Sequence, residues 1–367
     1  MNRVHLVNVL LNGLSVGQLA VTQDKVCAFE YDSGYLLHGI SISPYYLPLK
    51  TGLFIADASP FNGNFGVFDD SLPDGWGNLV LDRYLLSKNI NPATLSIPER
   101  LSIIGSSGRG ALEYLPQTDL LQNPEPQDIE KLSRDAQELL SNSEDLDLES
   151  LFLYGGSSGG ARPKVFYKEN EKEWLVKFKA STDPENIGEI EYNYSLLAKK
   201  VGISMPQTLL INDRYFGTER FDRSENGKIH TVSAAGLLNA DYRIPCLDYS
   251  TLLKVTLNLT KDMSEVMKMF RLMVFNVVIM NRDDHAKNFS FQLINGNWRL
   301  SPAYDLLPGT GFGGEHTTSI NGQGIPKLAD IIKVAAEVGI NKTKSVQIVG
   351  ETADICFENK LGKYNPK

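Results

Sequence analysis

Residues 281–292 read NRDDHAKNFSFQ, between the apolar run MVFNVVIM (273–280) and LINGNW (293–298). Arg282, Asp283, Asp284 and Lys287 crowd together with His285, Asn281 and Asn288 where the chain should be entering a core. Asp283 and Asn288 are five positions apart. A protein-kinase catalytic loop, HRDxxxxN, uses the same interval. There the aspartate accepts the proton of the attacking hydroxyl, and the asparagine oxygen ligates a phosphate-bridging Mg²⁺. The pair alone is weak, because a charged cluster between apolar segments is usually a solvated loop. Asp283 and Asp284 could equally cap a helix, and His285 could be a hydrogen-bonded structural residue.

Working outward, FSFQLINGNWRL (289–300) reads as a hairpin that would bring Asp305 of LSPAYDLLP back beside Asn288. A kinase delivers its second metal-binding aspartate in this way, although no DFG is present. Upstream, YGGSSGGARPK (154–164) holds four glycines in six positions together with Ser157 and Ser158. Glycine lets backbone N–H groups approach phosphates closely. The segment is expected between strands, as part of a strand, turn, strand, turn, strand run over 151–179, and so is not a Walker loop, which requires GKS/T before a helix. A plain hairpin turn is the competing reading. Lys177 follows within the apolar strand WLVKF, in the manner of a lysine that pairs nucleotide phosphates, or simply as the exposed side of an alternating strand. Glu189 or Glu191 on a helix predicted over 187–200 could orient it, though either suits a surface face. The ordered set, from Gly-rich loop to strand lysine, helix glutamate, D-x4-N and distal aspartate, is far rarer by chance than any of its parts.

The rest of the chain sets bounds. The 367 residues suffice for two or three domains, and the formal net charge of −8 argues against direct non-specific DNA binding, which needs clustered Lys and Arg. Cys27, Cys246 and Cys356 are odd in number and far apart, so they read as free thiols of a reducing compartment. The start MNRVHLVNVLLNG lacks the apolar core of a signal peptide, and no apolar run is long enough to span a bilayer. A soluble cytoplasmic protein is expected. Asn12-Gly13 marks a hairpin within strands over 3–31. Residues 40–75 suggest ordered loops with short strands. WGNLVLDRYLL is an amphipathic helix with Leu79, Leu81, Tyr84 and Leu85 on one face. A boundary is expected at about 116–127, then a solvated acidic helix over 127–141. Helices follow over 233–239, 248–258, 263–280, 326–338 and 342–357. The expected division is a β-rich subdomain (1–120), a region resembling a kinase N-lobe (121–232) and a helical C-lobe (233–367).

Six stretches together resemble the HipA family of bacterial serine/threonine kinase toxins: LPDGWGNLVLDR (72–83), GGSSGGARPK (155–164), ERFDR (219–223), NRDDHAKNFSF (281–291), SPAYDLLP (301–308) and HTTSINGQ (316–323). The likeness runs along nearly the whole chain. It implies an α+β fold, a divergent two-lobed protein-kinase-like architecture related to phosphoinositide kinases, with a β-rich N-terminal subdomain. It also implies ATP and Mg²⁺ as cofactors. Asp283 is then the catalytic base, and Asn288 and Asp305 are the metal ligands. Lys177 contacts phosphates, and Ser158, Gly159, Gly160, Ala161, Arg162, Pro163 and Lys164 form the phosphate loop. Glu219, Arg220 and Phe221 lie where the interlobe strand meets adenine, while His285, Lys287, Asn288, Tyr304 and Asp305 line the nucleotide site. Family members silence themselves by phosphorylating a serine of the Gly-rich loop. Ser157 aligns with it and Ser158 is its neighbour.

The same resemblance implies a HipB-like helix-turn-helix antitoxin as partner, DNA contact only through that antitoxin, and no membrane. The implied substrate is a translation protein, such as an aminoacyl-tRNA synthetase. Two other readings stay open: a kinase acting on a small molecule or lipid, and a pseudokinase acting as a transcriptional co-regulator.

Overall fold

The computed structural model describes residues 3–118, 128–141, 143, 146–169 and 171–366. The boundary expected at 116–127 falls mostly on residues 119–127, outside the described ones. The chain forms two compact units: Met1–Glu189 with Thr208–Thr231, and Ile190–Gln207 with Val232–Lys367.

In the first unit, β1 (Leu6–Leu11), β2 (Leu14–Val21) and β3 (Cys27–Tyr31) are followed by helix α1 (Ser33–His38) and β4 (Phe54–Ile55). Helices α2 (Gly66–Asp69), α3 (Gly75–Ser87) and α4 (Ile97–Ile104) lead to β5 (Leu112–Leu115). The strands make an antiparallel sheet in the order β4-β3-β2-β1-β5. Asn12 and Gly13 both take left-handed conformations at the β1–β2 turn, as a two-residue hairpin with the right strand twist requires.

Next come α5 (Ile129–Leu140), α6 (Leu148–Gly155), β6 (Lys164–Glu169) and β7 (Lys172–Lys177). Helix α7 (Ile187–Lys200) contains the division between the units, and β8 (Thr208–Ile211) and β9 (Tyr215–Glu219) complete an antiparallel sheet β6-β7-β9-β8. A small ribbon, β10 (Arg223–Ser224) with β11 (Gly227–Lys228), ends the unit.

Two expectations need correction here. Residues 151–155 are helical, because Asp147 caps α6 through the Ser150 amide (3.0 Å) and Phe152 stacks on Tyr84 of α3 (ring centroids 4.5 Å). The Gly-rich segment therefore joins a helix to a strand. Helix α5 is not simply solvated either. Ile129, Leu132, Ala136 and Leu139 are buried in one cluster with Trp76, Val80, Trp174 and Val176. Burying each large side chain of this kind stabilises by about 1.5–3 kcal/mol.

The second unit continues with β12 (His230–Ser233), within which the division falls, then α8 (Ala234–Leu238), β13 (Leu247–Asp248), α9 (Tyr249–Thr260) and α10 (Met263–Ile279). Strands β14 (Ser290–Ile294) and β15 (Asn297–Leu300) form the expected hairpin, in a sheet ordered β12-β14-β15. Short β16 (Thr318–Ser319) pairs in parallel with β13, and α11 (Leu328–Ala336) and α12 (Lys342–Glu358) close the chain. Helix α10 is buried along most of its length and forms the spine of this unit. Among the described residues no helix is long and apolar enough to cross a membrane, and the three cysteines are free thiols.

Candidate active site

Helix α10 delivers the charged cluster. Asp262 caps its start by accepting from the Ser264 amide (2.8 Å). At its end Met280 takes a left-handed conformation (φ 56°), a place glycine more often fills, and turns the chain into Asn281. Asp283 is exposed, whereas Asp284 beside it is fully buried at 0%. The two neighbours therefore have opposite environments. The Asp284 carboxylate accepts from Tyr249 Oη and His316 Nδ1, each at 2.9 Å, and from the Thr318 amide at 3.2 Å. Burial first, and then the Asp284 charge, push the Tyr249 phenol well above its ordinary pKa.

Asn288 turns its side-chain amide onto the Asp283 carbonyl at 2.7 Å, which closes the loop on itself and leaves Oδ1 as the atom suited to a cation. The hairpin then returns the chain as expected. Ser301 N–H donates to the Ser290 carbonyl (2.9 Å), and Tyr304 Oη reaches both Ser290 Oγ and the Lys287 carbonyl at 2.6 Å. Asp305 is left-handed (φ 54°), and its carbonyl accepts from Asn281 Nδ2 at 3.1 Å. His285 Nδ1 accepts from the Lys287 amide (3.3 Å), and Lys287 Nζ lies over the Tyr242 ring at 4.1 Å. This places Asp283, His285, Lys287, Asn288, Tyr304 and Asp305 on one continuous hydrogen-bonded scaffold.

The remaining candidates lie in the first unit, except Glu191, which belongs to the second. Lys177 ends β7, is buried at 7%, and has Nζ 5.7 Å from the centre of the Phe216 ring. Glu189 is exposed and Glu191 buried, so only the second suits an internal ion-pairing role. Ser157 is buried at 7% and donates to the Ser107 carbonyl (3.1 Å); Ser158 donates to the Gly155 carbonyl (2.6 Å). Gly159, Gly160 and Ala161 are exposed. Lys164 folds back so that Nζ reaches the Gly159 carbonyl (2.7 Å), and Arg162 forks onto Asp183 at 3.0 and 3.1 Å. The Pro163 carbonyl accepts from the Phe178 amide at 2.8 Å.

Around ERFDR, the Glu219 carboxylate takes Lys172 Nζ at 3.1 Å, and Phe221 is half-buried. The Arg220 side chain is not turned outward. It is buried against the Phe166 ring (4.1 Å), grips Asp222 at 3.0 and 2.9 Å, and also reaches Glu173 and the Gly108 carbonyl. Arg223 adds a bond to Asp222 at 3.0 Å. Burial opposes ionisation of Asp222, but the two guanidinium groups outweigh it and hold the carboxyl far below the usual range.

Sequence reasoning gave Asp284 no role beyond a possible helix cap and Asn281 none beyond membership of the charged cluster, and did not name Tyr249, Asn276 or Tyr242. His316 lay within a quoted stretch without a role. Nothing in the dipeptide Asp283-Asp284 says which carboxylate turns inward.

No group of three or more His, Cys, Asp and Glu side chains is placed to hold a metal ion among the described residues. An asparagine amide oxygen and a single carboxylate, the donor types Asn288 and Asp305 carry, match the few protein ligands Mg²⁺ takes when waters and phosphate oxygens complete its shell.

Residues 7–115 match the HipA N-terminal domain, and residues 156–359 match the HipA-like C-terminal domain. The chain belongs to the HipA family. One similar solved structure is HipA from the toxin–antitoxin complex of HipA, HipB and operator DNA of Shewanella oneidensis MR-1. It has 17% sequence identity and a TM-score of 0.72, covering 97% of this chain and 91% of that one. The likeness establishes the fold, a mixed α+β arrangement of the divergent protein-kinase-like kind. A curated relative, "Putative kinase Y4dM" of Sinorhizobium fredii (strain NBRC 101917 / NGR234), is 26% identical over 207 residues, 49% of this chain and 50% of the relative. The chain thus spans about half the length of the curated relative it matches.

Proposed function

We propose that this HipA-family chain is an ATP- and Mg²⁺-dependent serine/threonine protein kinase and the toxin of a toxin–antitoxin pair. One observation carries the reading. Exposed Asp283 and the amide of Asn288 share one loop closed at 2.7 Å, and Asn281 at the start of that loop holds the Asp305 backbone. The loop backbone that carries the proposed base and the proposed metal ligands is thereby held before any substrate arrives, an arrangement that suits phosphoryl transfer.

In this reading Asp283 accepts the proton of the substrate hydroxyl. Asn288 and Asp305 would hold Mg²⁺, which supplies charge neutralisation on the phosphates. Lys177 and the loop Ser158–Lys164 would bind the phosphates, and Glu219 to Phe221 the adenine side. The related HipA occurs in a complex with HipB and operator DNA. A HipB-like antitoxin is the partner proposed here, with DNA reached through it, in keeping with a net charge of −8. The proposed substrate is a translation protein such as an aminoacyl-tRNA synthetase, and the proposed compartment is the cytoplasm. Ser157 is the proposed autophosphorylation site, with Ser158 the second choice. Because Ser157 is buried on the Ser107 carbonyl, its modification requires the loop to leave that position.

The test is incubation of the purified protein with Mg²⁺-ATP and mapping of phosphosites by mass spectrometry, with Asp283→Ala alongside. Phosphate on Ser157 or Ser158 in the wild type only is the expected result. Bound ATP with no phosphate on the chain or on any lysate protein would overturn the assignment.

A further inference from the structure

The Gly-rich segment is held by a part of the chain outside the HipA-like C-terminal domain. Helix α3 begins at Asp74-Gly75-Trp76-Gly77, within the matched N-terminal domain. The Asp74 carboxylate does not cap its own helix. It accepts from the Gly160 amide, and its two oxygens lie 3.3 and 3.6 Å from where a side chain on Gly159 would begin. Trp76 holds the next peptide of the same residue: its backbone N–H donates to the Gly160 carbonyl (2.9 Å), and its indole Nε1 donates to the Lys164 carbonyl (2.9 Å). The two glycines make this approach possible. A Cβ at Gly75 would lie 2.8 Å from the Gly160 carbonyl oxygen, and one at Gly77 would lie 2.2 Å from that of Ser158.

We infer that Asp74 is a positioning residue of the nucleotide-binding loop, acting through the Gly160 amide, so that the N-terminal domain sets the conformation in which the loop meets phosphate. The inference rests on the kinase reading above. Glycine-rich backbone is the most entropically free in the chain, and fixing it carries a conformational-entropy cost. A loop that cradles phosphates without an external brace must meet that cost at each binding event. Here a charge-assisted bond on Gly160 N–H and a tryptophan bond on Gly160 C=O fix both peptides flanking this residue beforehand. Gly159, Gly160 and Ala161 remain exposed while the serines on the helix side are buried.

The experiment compares wild type, Asp74→Ala and Asp74→Asn in full-length protein, by hydrogen exchange over 155–164 and by the Kd for Mg²⁺-ATP. Asparagine keeps an oxygen to accept the Gly160 N–H but loses the charge. In Asp74→Ala, exchange over the loop is expected to rise about tenfold or more, and the Kd for Mg²⁺-ATP to rise about tenfold, the size of one lost charge-assisted bond. Both should return part of the way to wild type in Asp74→Asn, whose neutral oxygen makes a weaker bond, with kcat little changed in either variant. Unchanged loop exchange in Asp74→Ala overturns the inference, as does equal or tighter ATP binding, which would mean that the carboxylate competes with phosphate. If the wild type binds no ATP while loop exchange still responds to Asp74→Ala, the kinase reading fails and Asp74 is an anchor only.

Discussion

Asn281 Nδ2 donates to the carbonyl oxygen of Asp305 at 3.1 Å across 24 residues of chain, and the same nitrogen donates to Asn276 Oδ1 at 3.1 Å. Asn276 in turn donates to Tyr249 Oη, which donates to Asp284. One buried chain of side chains therefore links the loop of the proposed base to the proposed metal-binding aspartate. Asn281→Ala strands the Asp305 carbonyl and Asn276 Oδ1, at a cost of about 2 kcal/mol for buried groups left unpaired. Denaturant unfolding should show that loss. The Mg²⁺ concentration for half-maximal phosphorylation should rise more than the KM for ATP.

Adjacent carboxylates should behave as opposites. Asp283→Ala removes an exposed group, so its unfolding free energy should stay within about 0.5 kcal/mol of wild type while phosphoryl transfer falls by about 10²–10⁴. Asp284→Ala strands Tyr249, His316 and the Thr318 amide in a buried site, and should cost about 3 kcal/mol or more. Thermal unfolding and activity measured side by side check the contrast. Equal stability losses in the two variants would sink it.

Acid should weaken the first unit in two steps. His230 donates from Nε2 to the Ile42 carbonyl at 2.8 Å, and burial lowers its pKa from the usual 6.5 to about 4. The unfolded chain then binds a proton that the folded chain refuses, so stability is full above about pH 6.5. It declines as pH falls to about 4, by roughly 3 kcal/mol in all. Asp222, held ionised by Arg220 and Arg223, contributes stability that is present above the ordinary carboxylate pKa and lost only as pH falls below about 4. His230→Gln keeps a donor for Ile42 and cannot titrate. Its unfolding free energy should lose the slope between pH 6.5 and 4, and keep the one below it.

Gly77→Ala sets two effects of known sign against each other. In a helix interior alanine is favoured over glycine by about 1 kcal/mol. The added methyl would meet the Ser158 carbonyl oxygen at 2.2 Å, a backbone atom that cannot rotate away. The clash should win. Hydrogen exchange over 155–164 is expected to speed up although α3 gains helix propensity, and a slower loop would refute the packing described here.

Periodicity and turn chemistry determined much of this protein from its sequence. The Asn12-Gly13 hairpin, the amphipathic α3, the apolar α10 and the β14–β15 hairpin all rest on patterns within about twenty residues. So does the D-x4-N spacing, because both residues lie on one loop. Leu-Phe-Leu-Tyr at 151–154 escaped such reading. A four-residue apolar run fits strand or helix equally, and the choice fell to the Asp147 cap and to Tyr84 stacking on Phe152. The acids of α5 likewise hid an apolar face that becomes visible only against Trp76 and Trp174. Tertiary structure alone decided which of Asp283 and Asp284 turns inward. It also decided that Arg220 is tied to Asp222, and that Asp74 reaches Gly160 across 86 residues. Local propensity acts through neighbours in sequence. Burial of charge and pairing of polar groups depend on neighbours in space, which no single stretch of sequence contains.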